Sequence, residues 1–373
     1  MSSSQTYSPF RSVLLREWRR MTSRRLYFGV CIILPLFTLF FMATIFGNGQ
    51  MENIPIGIVD QDNTASSRAI ARNISAVPTF KVTRHFVNEE AARKAVQKKE
   101  IYGYLSIPPK FEQDAISGKN ATLSYYYHYA LLSVGGELMA AFETSLAPVS
   151  LSPIVMQAVA LGVEQDKITT FLLPVQASNH PIYNPSLDYS VYLSQPFFFV
   201  LFQVLILLIT VYAVGIEIKF RTADEWLFVA KGNMVTAVLG KLLPYTIIFI
   251  LIGWLANYVM FGILHIPFQG SWLLMNMLTA LFVVATQALG LFLFSLFPAI
   301  SLIISIVSMV GSLGATLSGV TFPVTNMYPL VRDASYLFPV RHFTEMMQNM
   351  LYGGSGFIYL WPSVVILCIF PLL

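Results

Sequence analysis

The chain has 373 residues, 55% of them apolar and 11% charged. Ordinary soluble proteins carry about 25% charged residues, so this composition argues against the soluble globular classes, and its wealth of Leu, Ile, Val and Phe excludes intrinsic disorder. Cys31 and Cys368 both lie in apolar runs, which excludes a disulfide scaffold or a cysteine zinc cluster, and a net charge of +4 is too modest to point to nucleic acid.

Residues 1–25 contain six arginines and one acid, Glu17. Phe10, Val13, Leu14, Trp18 and Met21 fall on one helical face, with Arg11, Arg16, Glu17, Arg20 and Arg24 largely off it. A basic amphipathic helix carrying a tryptophan lies in the membrane interface. It is either a topological anchor or an elbow that stiffens the first apolar run against a cytoplasmic partner.

Four stretches hold no Asp, Glu, Lys or Arg: 26–51, 189–216, 242–331 and 346–373. A spanning helix needs ~20 apolar residues, and a charge at its centre costs roughly 2.5–3.5 kcal/mol on insertion scales. Six spans are expected, at 26–46, 192–216, 242–264, 272–297, 299–320 and 357–373. The first is not a signal peptide, because its basic region is long and no A-x-A site comes after it. The sixth is short and lacks a basic flank, so its helix is expected to continue past Leu373. The arginine-rich N-terminus and the loop 217–241, with Lys219, Arg221, Lys231 and Lys241, belong in the cytoplasm. Segment 52–188 has no basic excess and belongs outside.

That outer segment reads as a small α/β domain. Ile54–Asp60 is a strand; Thr64–Val77 a helix whose start is rich in Asp62, Asn63 and Thr64; 79–86 a strand; 89–99 a helix; 101–107 a strand; a short helix comes after Pro108-Pro109; and 121–128 is a strand. Residues 130–173 look helical, with breaks at Pro148 and Pro153. The Asp60/Asp62 carboxylates are those of a strand-end turn and a helix cap, or of a cation site. Tyr125, Tyr126, Tyr127 and Tyr129 suit a strand with one aromatic face, or a ligand platform.

No P-loop, G-x-S-x-G, H-E-x-x-H or G-x-G-x-x-G pattern is present. No charge falls in the middle of an expected span, which disfavours ion-coupled carriers and intramembrane enzymes. Energy for any transport must come from another chain.

Three stretches carry a family resemblance. They are Ile56–Arg68, with its Val59-Asp60 and Asp62-Asn63 and then Ser67-Arg68; Glu90–Glu112, with Ile107-Pro108-Pro109-Lys110-Phe111-Glu112, then Gly118-Lys119; and Ser318–Pro339. With the overall architecture they resemble the permease subunit of bacterial ABC exporters of the type-2 superfamily, in the branch with a large periplasmic domain. The resemblance implies an α-helical inner-membrane protein of six spans with an inserted α/β extracytoplasmic domain. It implies separate ABC ATPase subunits that hold ATP and Mg, a second permease, identical or homologous, and a periplasmic adaptor protein. The chain itself would bind no cofactor and no metal. The loop after the second span would dock the ATPase, with Glu217, Arg221, Thr222, Asp224, Glu225, Trp226 and Leu227 in or beside a coupling helix. Trp226 and Leu227 would be exposed there as an apolar anchor. Arg221 stands where the family often has glycine.

On the fifth span Ser301, Ser305, Ser308, Ser312, Ala315 and Gly319 share one face. Small faces let helices approach closely in lipid, against another span of this chain or, as the resemblance implies, at a two-fold seam between permeases. Gln203 and Thr210 on the second span would face that seam. Residues 321–356 would re-enter the outer leaflet as a gate that includes Phe322, Pro323, Met327 and Pro339, with an Arg341–Glu345 pair at its interface. The substrate would be an amphipathic or hydrophobic molecule leaving the cytoplasm or inner membrane. The competing class is a membrane receptor or scaffold whose outer domain binds a ligand.

Overall fold

In the computed structural model, residues 8–45, 49, 51–117, 119, 121–160, 184, 188–353 and 357–372 are described. The chain divides into two compact units, 1–49 with 181–373, and 50–180. In the first, Ser8 caps the amphipathic helix α1 (Pro9–Ser23). A break at Arg24 leads into the apolar helix α2 (Arg25–Ile45). A π-turn at Gly29–Ile33 precedes Pro35, whose missing N–H removes one rung of the helical ladder.

The unit 50–180 alternates strands and helices: β1 (Ile54–Asp60), α3 (Ala65–Ser75), β2 (Phe80–Phe86), α4 (Glu89–Gln97), β3 (Gly103–Ile107), α5 (Phe111–Ile116), β4 (Ser124–Tyr127) and α6 (Leu132–Ala160). The sheet order is β2-β1-β3-β4, with β1 parallel to both neighbours and β4 antiparallel at the edge. Ile56, Ile70, Ile74, Leu105 and Phe142 form one core layer, and Val59, Ala92, Ala95 and Tyr104 another. A capping box between Thr64 and Ser67 starts α3, and Asn88 caps α4. The Asp60 carboxylate accepts the Asp62 and Asn63 N–H groups and the Ser67 hydroxyl. Asp62 accepts Thr64 and the Glu112 N–H, so both acids serve the turn and the caps. Tyr125 stacks on Phe142, while Tyr126 stacks on Tyr104 across the other face; aromatic rings therefore line both faces of β4. Helix α6 runs through Pro148 and Pro153 without the breaks expected there, each proline deleting one backbone bond without ending the helix. Residues 161–173 of the expected helical return lie outside the described residues.

The first unit resumes with α7 (Ser190–Lys219), the short α8 (Ala223–Val229), α9 (Met234–Ile263), α10 (Trp272–Leu296), α11 (Ile300–Leu317), α12 (Pro329–Ser335), α13 (Pro339–Gly353) and α14 (Phe357–Leu372). Among the described residues, five helices (α2, α7, α9, α10 and α11) are long and apolar enough to cross a membrane, and α14 is a shorter apolar helix. Helix α7 is the most enclosed, packed by α10, α11 and α2. Its contact with α11 is close because Gly311 and Gly314 lie there: an added Cβ would come within 2.6 Å of Val204 and 2.8 Å of Gln203. Helix α9 starts at Met234, well ahead of the expected 242, and so takes Lys241 into its interior.

Candidate functional site

The charges that composition hides at helix ends converge where α1, α7, α8 and α9 meet. Glu217, near the end of α7, is 0% exposed. It accepts Arg16 at 2.9 and 3.2 Å, Lys241 Nζ at 2.7 Å, and further bonds from Arg20 and the Thr222 hydroxyl. Glu17 of α1, also buried, accepts Lys241 Nζ at 2.6 Å and the Tyr245 hydroxyl at 2.6 Å. Lys241 thus bridges two carboxylates from two helices. A buried ion costs several kcal/mol unless its partners and remaining lone pairs are satisfied, and here three cations and two hydroxyls meet two acids. Burial works against the charge on Arg20, but attraction to Glu217, its bond there and the nearby Glu17 hold its pKa above the ordinary arginine value.

Packing explains why α1 sits on α9. Val13, Glu17 and Met21 form its buried stripe, one helical turn apart. Opposite Val13, Gly240 offers no side chain, and a Cβ there would stand 3.0 Å away. Phe10 and Trp18 remain exposed. This corrects the expected face: Glu17, placed off it by hydropathy, is at its centre because Lys241 and Tyr245 meet it there.

The turn from α7 to α8 needs a left-handed residue. Arg221 supplies it at φ 55°, a region that glycine enters without strain. Asp224 and Glu225 sit exposed in the first turn of α8, where acids favour the helix dipole. Trp226 does not face out as expected. It is 4% exposed, its Nε1 donates to the Ala237 carbonyl at 3.1 Å, and Lys241 Nζ stands 5.3 Å from its ring. The seven-residue α8 turns Trp226 towards α9 and Phe228 outward. Phe228 is 83% exposed and Leu227 half-buried, so the outward apolar residue of this loop is Phe228.

Ser301, Ser305, Ser308 and Ser312 are exposed along α11. The hydroxyls of Ser305, Ser308 and Ser312 bond back to their own helix. Ala315 and Gly319 are half-buried. Packing within the chain uses Ile303, Val307, Gly311 and Gly314 instead. Gln203 and Thr210 do not join the serines. Gln203 accepts the Val340 N–H at 2.8 Å, and Thr210 donates to Ile206 and lies against Gly290. Enclosure of α7 keeps both from the surface. Phe322 and Pro323 are exposed, Met327 is half-buried, and Pro339 is buried at the start of α13. The expected Arg341–Glu345 pair does not form: Arg341 swings back over the Tyr336 ring at 3.9 Å, and Glu345 accepts Ser363 at 3.1 Å.

A family model described as ABC-2 family transporter protein matches residues 25–373. The chain belongs to the ABC-2 transporter family. The inner membrane transport permease YhhJ of Escherichia coli K12 is 21% identical over 337 residues, covering 86% of this chain and 82% of that protein. The probable multidrug ABC transporter permease YbhS of the same strain is 21% identical over 364 residues, covering 96% and 92%. No solved structure matches significantly. This ABC-2 chain is a transport permease, a multi-pass protein of the inner membrane whose partners are ABC ATPase subunits.

Reading the sequence of this permease misses Glu17, Arg16, Arg20, Lys241, Tyr245 and Phe228. One signal was available: Lys241 is the lone charged residue between Lys231 and Arg332. A single charge at the edge of so long an apolar run calls for a buried partner.

Proposed function

We propose that this ABC-2 permease is the export conduit of an ATP-driven transporter and that the Glu17–Lys241–Glu217 cluster is its power-transmission joint. The observation that carries the proposal is the position of Lys241, bonded at 2.6 and 2.7 Å to acids on α1 and α7 and set beside the Trp226 ring of α8. A push on α8 therefore reaches two spans and the elbow helix through short, desolvated bonds, which are stiffer than loop contacts. In this reading the N-terminus and α8 face the cytoplasm, supported by the basic residues of 1–25 and 217–241. Helix α14 completes six spans, and the unit 50–180 lies in the periplasm, where it meets an adaptor. ATP and Mg are held by the separate ATPase.

Phe228, Asp224 and Glu225 form the docking surface: an exposed aromatic with an acidic rim. Phe228→Asp is expected to abolish co-purification of the ATPase subunit while leaving the permease's melting temperature unchanged; undiminished co-purification would remove α8 from the docking surface.

The exposed serine face of α11 is the seam with a second permease, along which an amphipathic or hydrophobic substrate leaves the cytoplasm or inner membrane. The multidrug wording in the name of YbhS supports that substrate class. Ser308→Trp should abolish export with normal expression, since a bulky ring cannot fit a face built from small residues. Export at the wild-type rate would place the seam elsewhere.

A further inference from the structure

Arg341 is the third residue of the 15-residue α13 and is 6% exposed. No described carboxylate pairs with it. Its guanidinium lies over the Tyr336 ring, which occupies one face of the plane and none of its N–H groups. Nε and Nη1 are buried without an acceptor. Glu345, one turn on, is engaged by Ser363.

One neighbour is in the same condition. Gln203 receives the Val340 N–H on Oε1, which fixes the amide and leaves Nε2 a buried donor with no acceptor. His342 donates from Nε2 to the Tyr336 carbonyl at 3.0 Å, which leaves Nδ1 an acceptor and adds no spare donor. Arg341 lies in the first turn of α13, where the helix dipole is positive, and Gln203 meets that turn from α7 through the Val340 N–H. A cation at that end of a helix is disfavoured by the dipole, and an unpaired guanidinium out of water is strongly disfavoured. Buried donors without acceptors gather at this corner, and a guanidinium presents donors that match two oxygens of one oxyanion.

We propose that the start of α13 binds the phosphodiester headgroup of an anionic membrane lipid, with Arg341 as the principal cation. The site is separate from the charge cluster of α1, α7 and α9, and it does not depend on the direction of transport.

The test uses the full-length permease, delipidated in neutral detergent. Three additions are compared by thermal melting and native mass spectrometry: phosphatidylglycerol, diacylglycerol with the same chains, and inorganic phosphate. Phosphatidylglycerol should raise the wild-type melting temperature and remain bound, while diacylglycerol should do neither. Arg341→Gln should weaken retention by about tenfold to a hundredfold, the worth of charge-assisted hydrogen bonds, Arg341→Lys by less, and the exposed-site control Arg332→Gln not at all. Equal retention by wild type and Arg341→Gln would overturn the site. So would an Arg341→Met variant that melts above wild type without lipid and gains equally from phosphatidylglycerol, since the guanidinium would then be an uncompensated charge with no ligand. A shift from inorganic phosphate equal to that from phosphatidylglycerol would overturn the lipid assignment, and so would an Arg341 bond to a carboxylate of a second copy.

Discussion

Lys241→Met is expected to destabilise the permease by about 3–5 kcal/mol, the usual cost of removing one partner from a buried ion cluster. The loss arises from the groups that stay behind. Glu17 would keep only the Tyr245 hydroxyl and a distant Arg20 at 3.8 Å, and Glu217 would lose its fully buried cation. Unfolding in detergent reads this directly. The triple variant Glu17→Gln, Glu217→Gln, Lys241→Met separates stability from coupling. With the three most buried charges gone, part of the stability should return, because uncharged replacements of similar volume are often neutral, and Arg16 and Arg20, 24% and 15% exposed, can turn towards water. ATPase stimulation by transport substrate should stay lost in the same protein, since the stiff link between α1, α7 and α9 is gone. A Lys241→Met single variant that unfolds at the wild-type midpoint would show the cluster to be energetically idle.

Trp226→Ala should cost about 3–5 kcal/mol, as large-to-small changes of buried aromatics do. The indole fills the space between α8 and α9 and satisfies the Ala237 carbonyl. Trp226→Phe retains most of the ring and forfeits the N–H, so about 1 kcal/mol is expected. Phe228→Ala, by contrast, should stay within about 0.5 kcal/mol of wild type, as exposed positions do. If Trp226→Ala melted like wild type, the residue would be an outward anchor after all. Weakened ATPase binding by this variant has meaning only beside its stability, because an unfolded α8 binds nothing.

Local chemistry made much of the fold legible. Strand β1 falls at its expected bounds, and the cap-rich Asp62, Asn63 and Thr64 and the apolar runs place most helix ends within a few residues. These signals lie within one element. The charge cluster was not legible because its partners are far apart: Lys241 and Glu17 are separated by 224 residues and Tyr245 and Glu17 by 228. Hydropathy treats each charge as a reason to end a span, whereas pairing lets α9 carry Lys241 inside. Trp226 was misread for a related cause. Aromatic residues in a charged loop look exposed until the next helix brings the Ala237 carbonyl to the indole. Gln203 and Thr210 do lie on one helix, but no pattern within α7 reveals that neighbours surround it.

The cluster joining α1 to α7 and α9 also bears on how the chain stays the way it was inserted. Loose basic flanks set orientation statistically, and stray arginines can slip. Here three cations and two acids are knotted together at one end of the bundle, tied to three separate helices. To invert, the protein would have to unpick every bond or drag the whole knot through hydrocarbon. Once folded, the permease is therefore kinetically trapped in its insertion topology by its tertiary structure, with no further need of the signal that first chose it.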